Sequence, residues 1–505
     1  MGEKLKEFLE KSKELQNGRQ AAELQHKKGK LTARERLKYL LDDDSFIELD
    51  AFAEHQSKQL EKRKAGDGVI TGHGSINKKP VYAYAQDFSF MGGSMGEMHN
   101  RKIANVMELA LKTGCPCIGL LDSGGARIQE GISALDAGGN IFQLNTMMSG
   151  IVPQISAIMG PCAGIAVYSP ALTDFILMVK KTSHMFITGP EVIKTVTGEV
   201  IDFEKLGGAS SHNEKSGVAH FAAEDEKECL DMVKILLSYL PQNNLENAPY
   251  FANDDAGRET KKLETIVPED PKKTYDIKDV IAEVFDKKSF FEVQAGYAAN
   301  IVIGFARLNG NSVGIAANQP KVLAGCLDIN SSDKIARFVR FCDCFNIPLI
   351  NLVDVTGYLP GTEQEHKGII RHGAKILFSY SEATVPKISL VLRKAYGGAY
   401  IAMVSKEMGF DKVIAWPTAE IAVMGAEQAV SIISRDEIAK NPKAKSGLAD
   451  EYTKEFLNPY AAARLGKVDM IIEPKETRIA IIKCLEMLLS KREKKPSKKH
   501  GNMPL

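Results

Sequence analysis

The sequence predicts an α/β protein in which one fold occurs twice in tandem. Two observations predict this: short apolar segments alternate with longer helical stretches from Val69 onward, and the second half of the chain aligns with the first at a nearly constant offset. The length of 505 residues also exceeds what one simple core usually accommodates, so two large domains are expected.

Composition narrows the class of protein. Hydrophobic residues make up 44% and charged residues 26% of the chain, and 65 basic side chains balance 64 acidic ones. This balance excludes a disordered chain and a strongly basic nucleic-acid binder, so we predict no nucleic-acid partner. Eight cysteines are too few for a disulfide scaffold, and no apolar run approaches the roughly 20 residues of a membrane-spanning helix. We predict a cytoplasmic protein.

Residues 1–45 place Leu5 and Leu9 among Lys and Glu and predict a helical segment with a polar face. Apolar runs over 69–71, 81–85, 118–121 and 155–159 predict strands, and 101–112 predicts a helix between them. Polar residues and prolines over 246–271 predict a linker. The expected domains are therefore an N-terminal one over 46–245 and a C-terminal one over 272–505.

The duplication rests on matched glycines and aspartates. Asp122 and Asp354, each at the end of an apolar run, are 232 residues apart. The same offset places Gly93 on Gly325 and Gly72 on Gly304, and an offset of 233 places Gly164 on Gly397. Composition alone would not keep one register over about 100 residues, so we interpret the two halves as copies of one fold.

The repeated glycine turns predict sites that bind an anion. A helix that begins at such a turn presents backbone N–H groups without intrahelical partners, and two of them aimed at one point form an oxyanion hole. The candidates in both halves are Gly124-Gly125-Ala126, Ala163-Gly164-Ile165, Gly357 and Gly397-Gly398-Ala399. The alternative is that these glycines serve only the close packing of strand and helix.

Other motifs give weaker evidence of function. Gly92-Gly-Ser-Met-Gly96 fits the pattern of a nucleophile elbow, but the predicted strand ends near Asp87, well before Ser94. The sequence contains no P-loop and no full dinucleotide fingerprint. The ten histidines and eight cysteines lack zinc-ligand spacing, and we predict no metal site.

With these residues identified, the chain closely resembles the carboxyltransferase subunit of biotin-dependent acyl-CoA carboxylases, decarboxylases and transcarboxylases, in particular the propionyl-CoA and methylmalonyl-CoA branch. The resemblance extends from about Leu31 to the C-terminus. Its most specific motifs are Gly66-Asp-Gly-Val-Ile-Thr-Gly72, Asp122-Ser-Gly-Gly-Ala-Arg-Ile-Gln-Glu-Gly131, Gly357-Tyr-Leu-Pro-Gly361, Lys394-Ala-Tyr-Gly-Gly-Ala-Tyr400 and Trp416-Pro-Thr-Ala-Glu-Ile-Ala-Val-Met-Gly425.

The resemblance implies two crotonase-like (ClpP/crotonase) β-β-α superhelical domains, an N-terminal one for acyl-CoA and a C-terminal one for biotin. It also implies a homohexamer, a dimer of trimers, with each active site between the N-domain of one subunit and the C-domain of another. Biotin would arrive on a separate carboxyl carrier subunit. Biotin carboxylase or membrane decarboxylase subunits would complete the complex, so the protein could form the peripheral part of a membrane complex.

The resemblance further implies roles for individual residues. The amides of Gly164 and Ile165, with Gly125 and Ala126 nearby, would stabilise the thioester enolate, and the amides of Gly398 and Ala399 would stabilise the ureido oxygen of biotin. The remaining implied contacts are Gly124, Arg127, Ala163, Tyr400 and Ile401 for the acyl-CoA and Gly357, Tyr358 and Gly397 for biotin. Because biotin itself can move the α-proton, no protein acid or base is obligatory.

Three departures from the family pattern are relevant. Ile165 replaces a second glycine and would be strained at positive φ. Thr356 and Tyr358 replace Pro and Phe, and Ile401 stands where many propionyl-CoA carboxylases have Asp at a position linked to acyl-chain choice. Methylmalonyl-CoA decarboxylase, transcarboxylase and acyl-CoA carboxylase activities therefore all remain open.

Two rival functions remain as well. One is a biotin-independent crotonase-type hydrolase or isomerase that uses Ser94. The other is a non-catalytic subunit that binds acyl-CoA and scaffolds a larger complex. For the basic segment from Lys491 to Lys499, we predict a solvated terminus.

Overall fold

The computed structural model describes residues 2–16, 19–58, 60, 63–252 and 254–502. The chain divides into two compact units, Met1–Glu246 and Asn247–Leu505. The first unit contains the strands β1 (Ile47–Leu49), β2 (Val69–Ile76), β3 (Lys79–Gln86), β4 (Cys117–Ser123), β5 (Gln154–Ala163), β6 (Phe175–Val179), β7 (His184–Phe186) and β8 (Phe221–Ala223). Its helices are α1 (Gly2–Gln16), α2 (Arg19–Lys27), α3 (Ala33–Leu40), α4 (Glu97–Thr113), α5 (Ile132–Met148), α6 (Tyr168–Leu172), α7 (Pro190–Thr197), α8 (Phe203–Gly207) and α9 (Glu226–Tyr239).

The second unit repeats this arrangement. Its strands are β9 (Phe291–Val293), β10 (Ile301–Leu308), β11 (Asn311–Asn318), β12 (Leu349–Val355), β13 (Lys387–Tyr396), β14 (Lys412–Ala415), β15 (Glu420–Ala422) and β16 (Met470–Ile471). Its helices are α10 (Leu263–Ile266), α11 (Ile277–Val284), α12 (Ile329–Cys344), α13 (Thr362–His366), α14 (Ile369–Glu382), α15 (Gly397–Met403), α16 (Ala426–Ile433), α17 (Arg435–Lys440), α18 (Ala444–Phe456), α19 (Pro459–Arg464) and α20 (Thr477–Leu488).

Both sheets have the same strand order. The first runs β1-β2-β3-β4-β5-β6-β8 with β7 paired to β5, and the second runs β9-β10-β11-β12-β13-β14-β16 with β15 paired to β13. In each sheet the first three strands pair antiparallel and the following strands pair parallel. The predicted α/β fold with a tandem duplication is confirmed.

Close backbone approaches explain why glycines mark the repeat. A Cβ on Gly72 would lie 2.2 Å from the carbonyl oxygen of Ile47, and one on Gly304 would lie 2.5 Å from that of Phe291. A Cβ on Gly93 would likewise lie 2.1 Å from the carbonyl oxygen of Asp122. Since no real Cβ comes this close to a carbonyl oxygen, backbone packing by itself is enough to require glycine at these three positions.

The predicted N-terminal helical segment ends in α3, which begins with a capping box between Thr32 and Glu35. Its buried side chains include Leu37 and Leu40, so this helix belongs to the core of the first unit. In the second unit, the described part of the predicted linker over 246–271 contains α10. There Leu263 is fully buried, so this part packs into the core.

The described residues contain no helix that is both long and apolar enough to cross a membrane. All eight cysteines are free thiols. The predicted solvated terminus is wrong for Lys491, which is largely buried, whereas Lys498 is exposed and makes a surface ion pair. Lys491 Nζ donates to Asp411 Oδ2 at 2.9 Å and to the carbonyl oxygen of Val385, and Lys498 pairs with Glu382 over the Phe378 ring. Sequence could not show this, because the partners lie on distant elements.

Candidate functional site

In the first unit, strand β5 ends at Ala163 and runs directly into a 3₁₀ turn over Gly164–Val167. Ala163 is extended, with φ −126° and ψ 154°, whereas Gly164 has φ 60°. The N–H groups of Gly164 and Ile165 open the turn and therefore have no intrahelical acceptor. The positive φ falls on Gly164 and not on Ile165, so the strain expected at Ile165 does not arise.

The second predicted turn of this unit follows β4 and lies beside the first. Gly125 has φ 104°, and a Cβ there would lie 2.8 Å from the carbonyl oxygen of Ala163. The structure thus brings the turns at Gly124-Gly125-Ala126 and Ala163-Gly164-Ile165 together. The N–H of Gly125 already donates to Ser123 Oγ at 3.1 Å, so Ala126 offers the freer amide of this turn.

Arg127 is fully buried beneath this turn. Its Nη1 donates to Asp67 Oδ1 at 2.6 Å and to Glu130 Oε1 at 2.8 Å, and its Nη2 donates to the carbonyl oxygen of Ser94. Burial raises the pKa of Asp67 even though Arg127 lies beside it. These contacts make Arg127 an anchor of the turn, and its predicted contact with acyl-CoA stays a prediction.

Ser94 does not lie in a nucleophile elbow. Strand β3 ends at Gln86, and Ser94 follows a 3₁₀ turn over Met91–Gly93. Its hydroxyl accepts a hydrogen bond from Arg127 Nε at 3.3 Å. A guanidinium has no acceptor and cannot take a proton from a serine, so this contact does not activate Ser94.

In the second unit, strand β13 ends at Tyr396 and helix α15 begins at Gly397. Tyr396 is extended and Gly397 has φ 55°, the same pattern as Ala163 and Gly164. The equivalent of Ile165 is therefore Gly398. The N–H groups of Gly397, Gly398 and Ala399 lie in the first turn of α15 and lack intrahelical acceptors.

The loop after β12 lies against this turn. Gly357 has φ 139°, and its carbonyl oxygen accepts the N–H of Leu327 at 3.0 Å. The ring of the next residue, Tyr358, would lie 3.5 Å from a Cβ on Gly398. Burial raises the pKa of Tyr358 to about 12, so its hydroxyl keeps its proton.

A cavity of about 700 Å³ opens between this loop and this turn. Four predicted residues line it: Gly357, Tyr358, Gly397 and Gly398. Three other predicted residues of α15 are not part of its lining. Ala399 is buried, Tyr400 is partly buried, and Ile401 is 47% exposed. Their predicted roles as an amide donor and as acyl-CoA contacts stay predictions.

Sequence reasoning missed Lys394, Tyr396 and Glu420, which also line the cavity. Strand β13 pairs with β15 so that Lys394 lies opposite Glu420, and the hydroxyl of Tyr396 donates to Glu420 Oε2. Both motifs were visible in the sequence, but no spacing rule indicated that they pair. The cavity is therefore polar on one side and bounded by the Tyr358 ring and glycine backbone on the other.

Comparison with known proteins agrees with this geometry. The family model described as "Carboxyl transferase domain" matches residues 24–503. The chain is 58% identical to methylmalonyl-CoA decarboxylase subunit alpha of Veillonella parvula, over 97% of this chain and 96% of that protein. It is 57% identical to the carboxyltransferase subunit of propionyl-CoA carboxylase of Haloferax mediterranei, over 100% of both chains.

A solved structure is similarly close. The transcarboxylase 12S hexamer, crystallised with methylmalonyl-coenzyme A and methylmalonic acid, superposes with a TM-score of 0.98 at 53% identity, covering 100% of this chain and 98% of that one. The family resemblance and the crotonase-like duplication predicted from sequence are thereby confirmed. The chain belongs to the carboxyl transferase domain family.

Proposed function

We propose that this protein is the carboxyltransferase subunit of a biotin-dependent enzyme. It moves a carboxyl group between biotin on a carrier protein and the α-carbon of a short acyl-CoA, propionyl-CoA or methylmalonyl-CoA. The relatives named as methylmalonyl-CoA decarboxylase and propionyl-CoA carboxylase subunits support this substrate class. The structure with methylmalonyl-coenzyme A bound to a transcarboxylase supports it as well.

One observation carries the proposal: the same strand-to-helix turn occurs at Gly164 and at Gly397, with φ 60° and 55°. Carboxyl exchange develops negative charge at two places, on the thioester oxygen and on the ureido oxygen. Two turns that each present unpaired N–H groups meet this need, one for each partner of the exchange. A donor of this kind is worth about 3 kcal/mol of barrier lowering in other enzymes.

In the first unit, we assign the thioester oxygen to the amides of Gly164 and Ile165, with Ala126 beside them. The turn at Gly125 supports this assignment, because it closes against the carbonyl oxygen of Ala163 and leaves little freedom to either turn. Ile165 contributes its amide, while its side chain packs against the core of the first unit.

In the second unit, we assign the ureido oxygen to the amides of Gly398 and Ala399. The cavity residues fit a biotin ring: Gly398 has no side chain to fill the space, and the face of Tyr358 supplies a flat apolar wall. Biotin, when bound, carries the carboxyl group on its ureido nitrogen. The protein would hold the ring between Tyr358 and the turn, exclude water, and direct backbone N–H groups at the oxygen.

The assembly is part of the same proposal. The transcarboxylase match is a hexamer, which supports a homohexamer for this chain too. The expected partners are a biotin carboxyl carrier subunit and either biotin carboxylase or membrane decarboxylase subunits. With membrane decarboxylase subunits, the protein would form the cytoplasmic, peripheral part of that complex.

The test is decarboxylation of methylmalonyl-CoA by the purified protein with free biotin, repeated with malonyl-CoA and longer acyl chains. We expect biotin-dependent turnover that Gly398→Val abolishes without changing the oligomeric state. Ser94→Ala is the control and should transfer at a near-normal rate.

Each rival function predicts another result. Turnover without biotin that is lost in Ser94→Ala would support the hydrolase, and unchanged transfer in Gly398→Val would displace the biotin site. A wild-type protein that binds acyl-CoA but transfers nothing would be a scaffold.

A further inference from the structure

The cavity of the second unit contains a pair of side chains that the proposed chemistry does not use. The hydroxyl of Tyr396 donates a hydrogen bond to Glu420 Oε2. Both residues line the cavity, and Tyr396 directly precedes the turn at Gly397 and Gly398. Burial, with Glu420 beside it, raises the pKa of Tyr396, so the hydroxyl remains the donor.

The duplication provides an internal comparison for this pair. Strand β5 pairs with β7 so that Pro161 lies opposite His184, just as Lys394 lies opposite Glu420 in the second unit. The equivalent of Tyr396 is therefore Ala163, and the equivalent of Glu420 is His184. Because the first unit builds the same turn with Ala163, the fold itself does not require the tyrosine or its bond.

The contacts around Tyr396 indicate what the pair does. Its backbone is fixed by pairing with Ala422 of β15, and its ring lies 3.7 Å from the position of a Cβ on Gly425. Its hydroxyl is tied to Glu420 at the start of the same short strand. By contrast, Gly397 and Gly398 have no side chains with which to fix the direction of their own N–H groups.

We propose, on the basis of the function proposed above, that Tyr396 and Glu420 are a positioning pair for the donor turn of the biotin cavity. Their hydrogen bond fixes strand β13 to β15 immediately before the turn and so sets the direction of the Gly398 and Ala399 amides. The pair acts through the turn, and removing the bond should slow transfer more than it weakens binding.

Two substitutions separate geometry from charge. Tyr396→Phe keeps the ring and removes the bond, and we expect kcat to fall about tenfold while KM for free biotin changes less than about twofold. Glu420→Gln keeps an oxygen that can accept the bond, so kcat should stay within about threefold of wild type. The assay is the biotin-dependent decarboxylation of methylmalonyl-CoA, with the melting temperature measured in parallel.

Tyr380→Phe is the matched control, because the buried Tyr380 hydroxyl donates to Asn351 Oδ1 at 2.8 Å outside the cavity. It should lower the melting temperature at least as much as Tyr396→Phe does and leave kcat unchanged. A wild-type kcat in Tyr396→Phe would overturn the inference. A kcat of Glu420→Gln as low as that of Tyr396→Phe would also overturn it, because the charge of Glu420, and not the hydrogen-bond geometry, would then determine the rate. A wild-type protein without transfer would instead refute the proposed function.

Discussion

Asp122 of β4 and Asp354 of β12 occupy the same irregularity in the two sheets. The register shifts between Leu121 and Ser123 in one and between Val353 and Val355 in the other. The N–H of each aspartate donates to a side-chain amide oxygen, that of Gln86 at 3.0 Å and that of Asn318 at 3.3 Å. Each aspartate stands just before a predicted glycine turn.

The cations that neutralise the two carboxylates come from different elements. Arg393 of β13 contacts Asp354 at 2.9 Å, whereas Lys30 and Arg36 contact Asp122 at 2.6 and 3.0 Å. The equivalent of Arg393 in the first unit is Gly160, and a Cβ there would lie 2.5 Å from Lys30 Nζ. In the first unit, the positive charge that neutralises the aspartate therefore comes from the N-terminal segment. In the second unit, it comes from a strand of the sheet.

The first prediction is that Asp122→Asn strongly destabilises the first unit. Lys30 would keep its buried positive charge without its carboxylate, while Arg36 would lose Asp122 and keep its contact with Glu226. Loss of one partner of a buried pair costs about 3 to 5 kcal/mol. Thermal and urea unfolding would measure the loss. Asp136→Asn, on the exposed side of α5, is the control and should change stability by less than about 0.5 kcal/mol. Equal stability of the two variants would contradict the prediction.

The duplicated fold could be predicted because its markers are imposed by local geometry. Gly93 and Gly325 recur since the backbone of the next strand leaves no room for a Cβ. The pairing of Lys30 with Asp122 could not be predicted, because it joins an N-terminal segment to a distant strand and leaves no periodic signal.

In the candidate site as well, local features could be predicted from the sequence and long-range contacts could not. The glycines of its turns were predicted because each one follows a strand and precedes a helix. The hydrogen bond between Tyr396 and Glu420 was not predicted, because it depends on the pairing of the three-residue strand β15 with β13. The contact of Arg127 with Asp67 was likewise not predicted, because it joins two loops that are far apart in the sequence.

The second prediction compares two glycines that differ in backbone conformation. Gly164 has φ 60°, and the nearest atom to a Cβ there would be the carbonyl oxygen of Ile187 at 3.9 Å. Gly164→Ala therefore meets no clash but costs about 1 to 2 kcal/mol of backbone strain. Gly398 has no positive φ, and its added methyl would lie 3.5 Å from the Tyr358 ring. Gly398→Ala should therefore keep stability within about 0.5 kcal/mol of wild type yet raise KM for free biotin.

Denaturant unfolding and transfer kinetics with free biotin distinguish the two effects. Gly164→Ala should lower stability and turnover with acyl-CoA together, since relief of strain would rotate the amides of its turn. If Gly398→Ala were the less stable variant, or if it bound biotin normally, the assigned roles of the two turns would be wrong.

The third prediction concerns acid stability of the first unit. His99 is buried; its Nδ1 contacts the carbonyl oxygen of Asp67 at 3.0 Å and its Nε2 contacts Gln86 Nε2 at 3.2 Å. Burial, with Arg127 nearby, lowers its pKa to about 3, from 6.5. The unfolded chain therefore binds a proton between pH 6.5 and 3 that the folded chain does not, and stability should fall as pH falls through this range.

In His99→Gln, the unfolded chain no longer binds this extra proton. The stability advantage of wild type over the variant should shrink by up to about 1.4 kcal/mol for each pH unit between 6 and 4. Urea unfolding at a series of pH values measures the difference, in which the other titrating groups cancel. An advantage that stays constant with pH would mean that His99 is charged in the folded protein.

The last prediction concerns two buried lysines at matched positions, Lys102 and Lys334. Lys102 Nζ donates to the carbonyl oxygens of Gly66 and Val69, and Lys334 Nζ donates to those of Tyr297 and Ile301, among others. Burial lowers the pKa of Lys102 to about 8 and that of Lys334 to about 7, from 10.5. Between pH 7 and 10 the unfolded chain thus binds more protons than the folded chain does, and the stability of the folded protein increases as the pH rises.

Lys334→Met should be less stable than wild type at every pH, because the carbonyl oxygens of the preceding loop lose their donor. The gap should widen from pH 7 to pH 10, by up to about 1.4 kcal/mol per unit, since only wild type loses the cost of a buried charge as the solution becomes alkaline. Chemical unfolding of both proteins across this range measures the gap. If the gap narrowed instead, the hydrogen bonds to the ammonium would outweigh its burial, and Lys334 would stay charged in the folded protein.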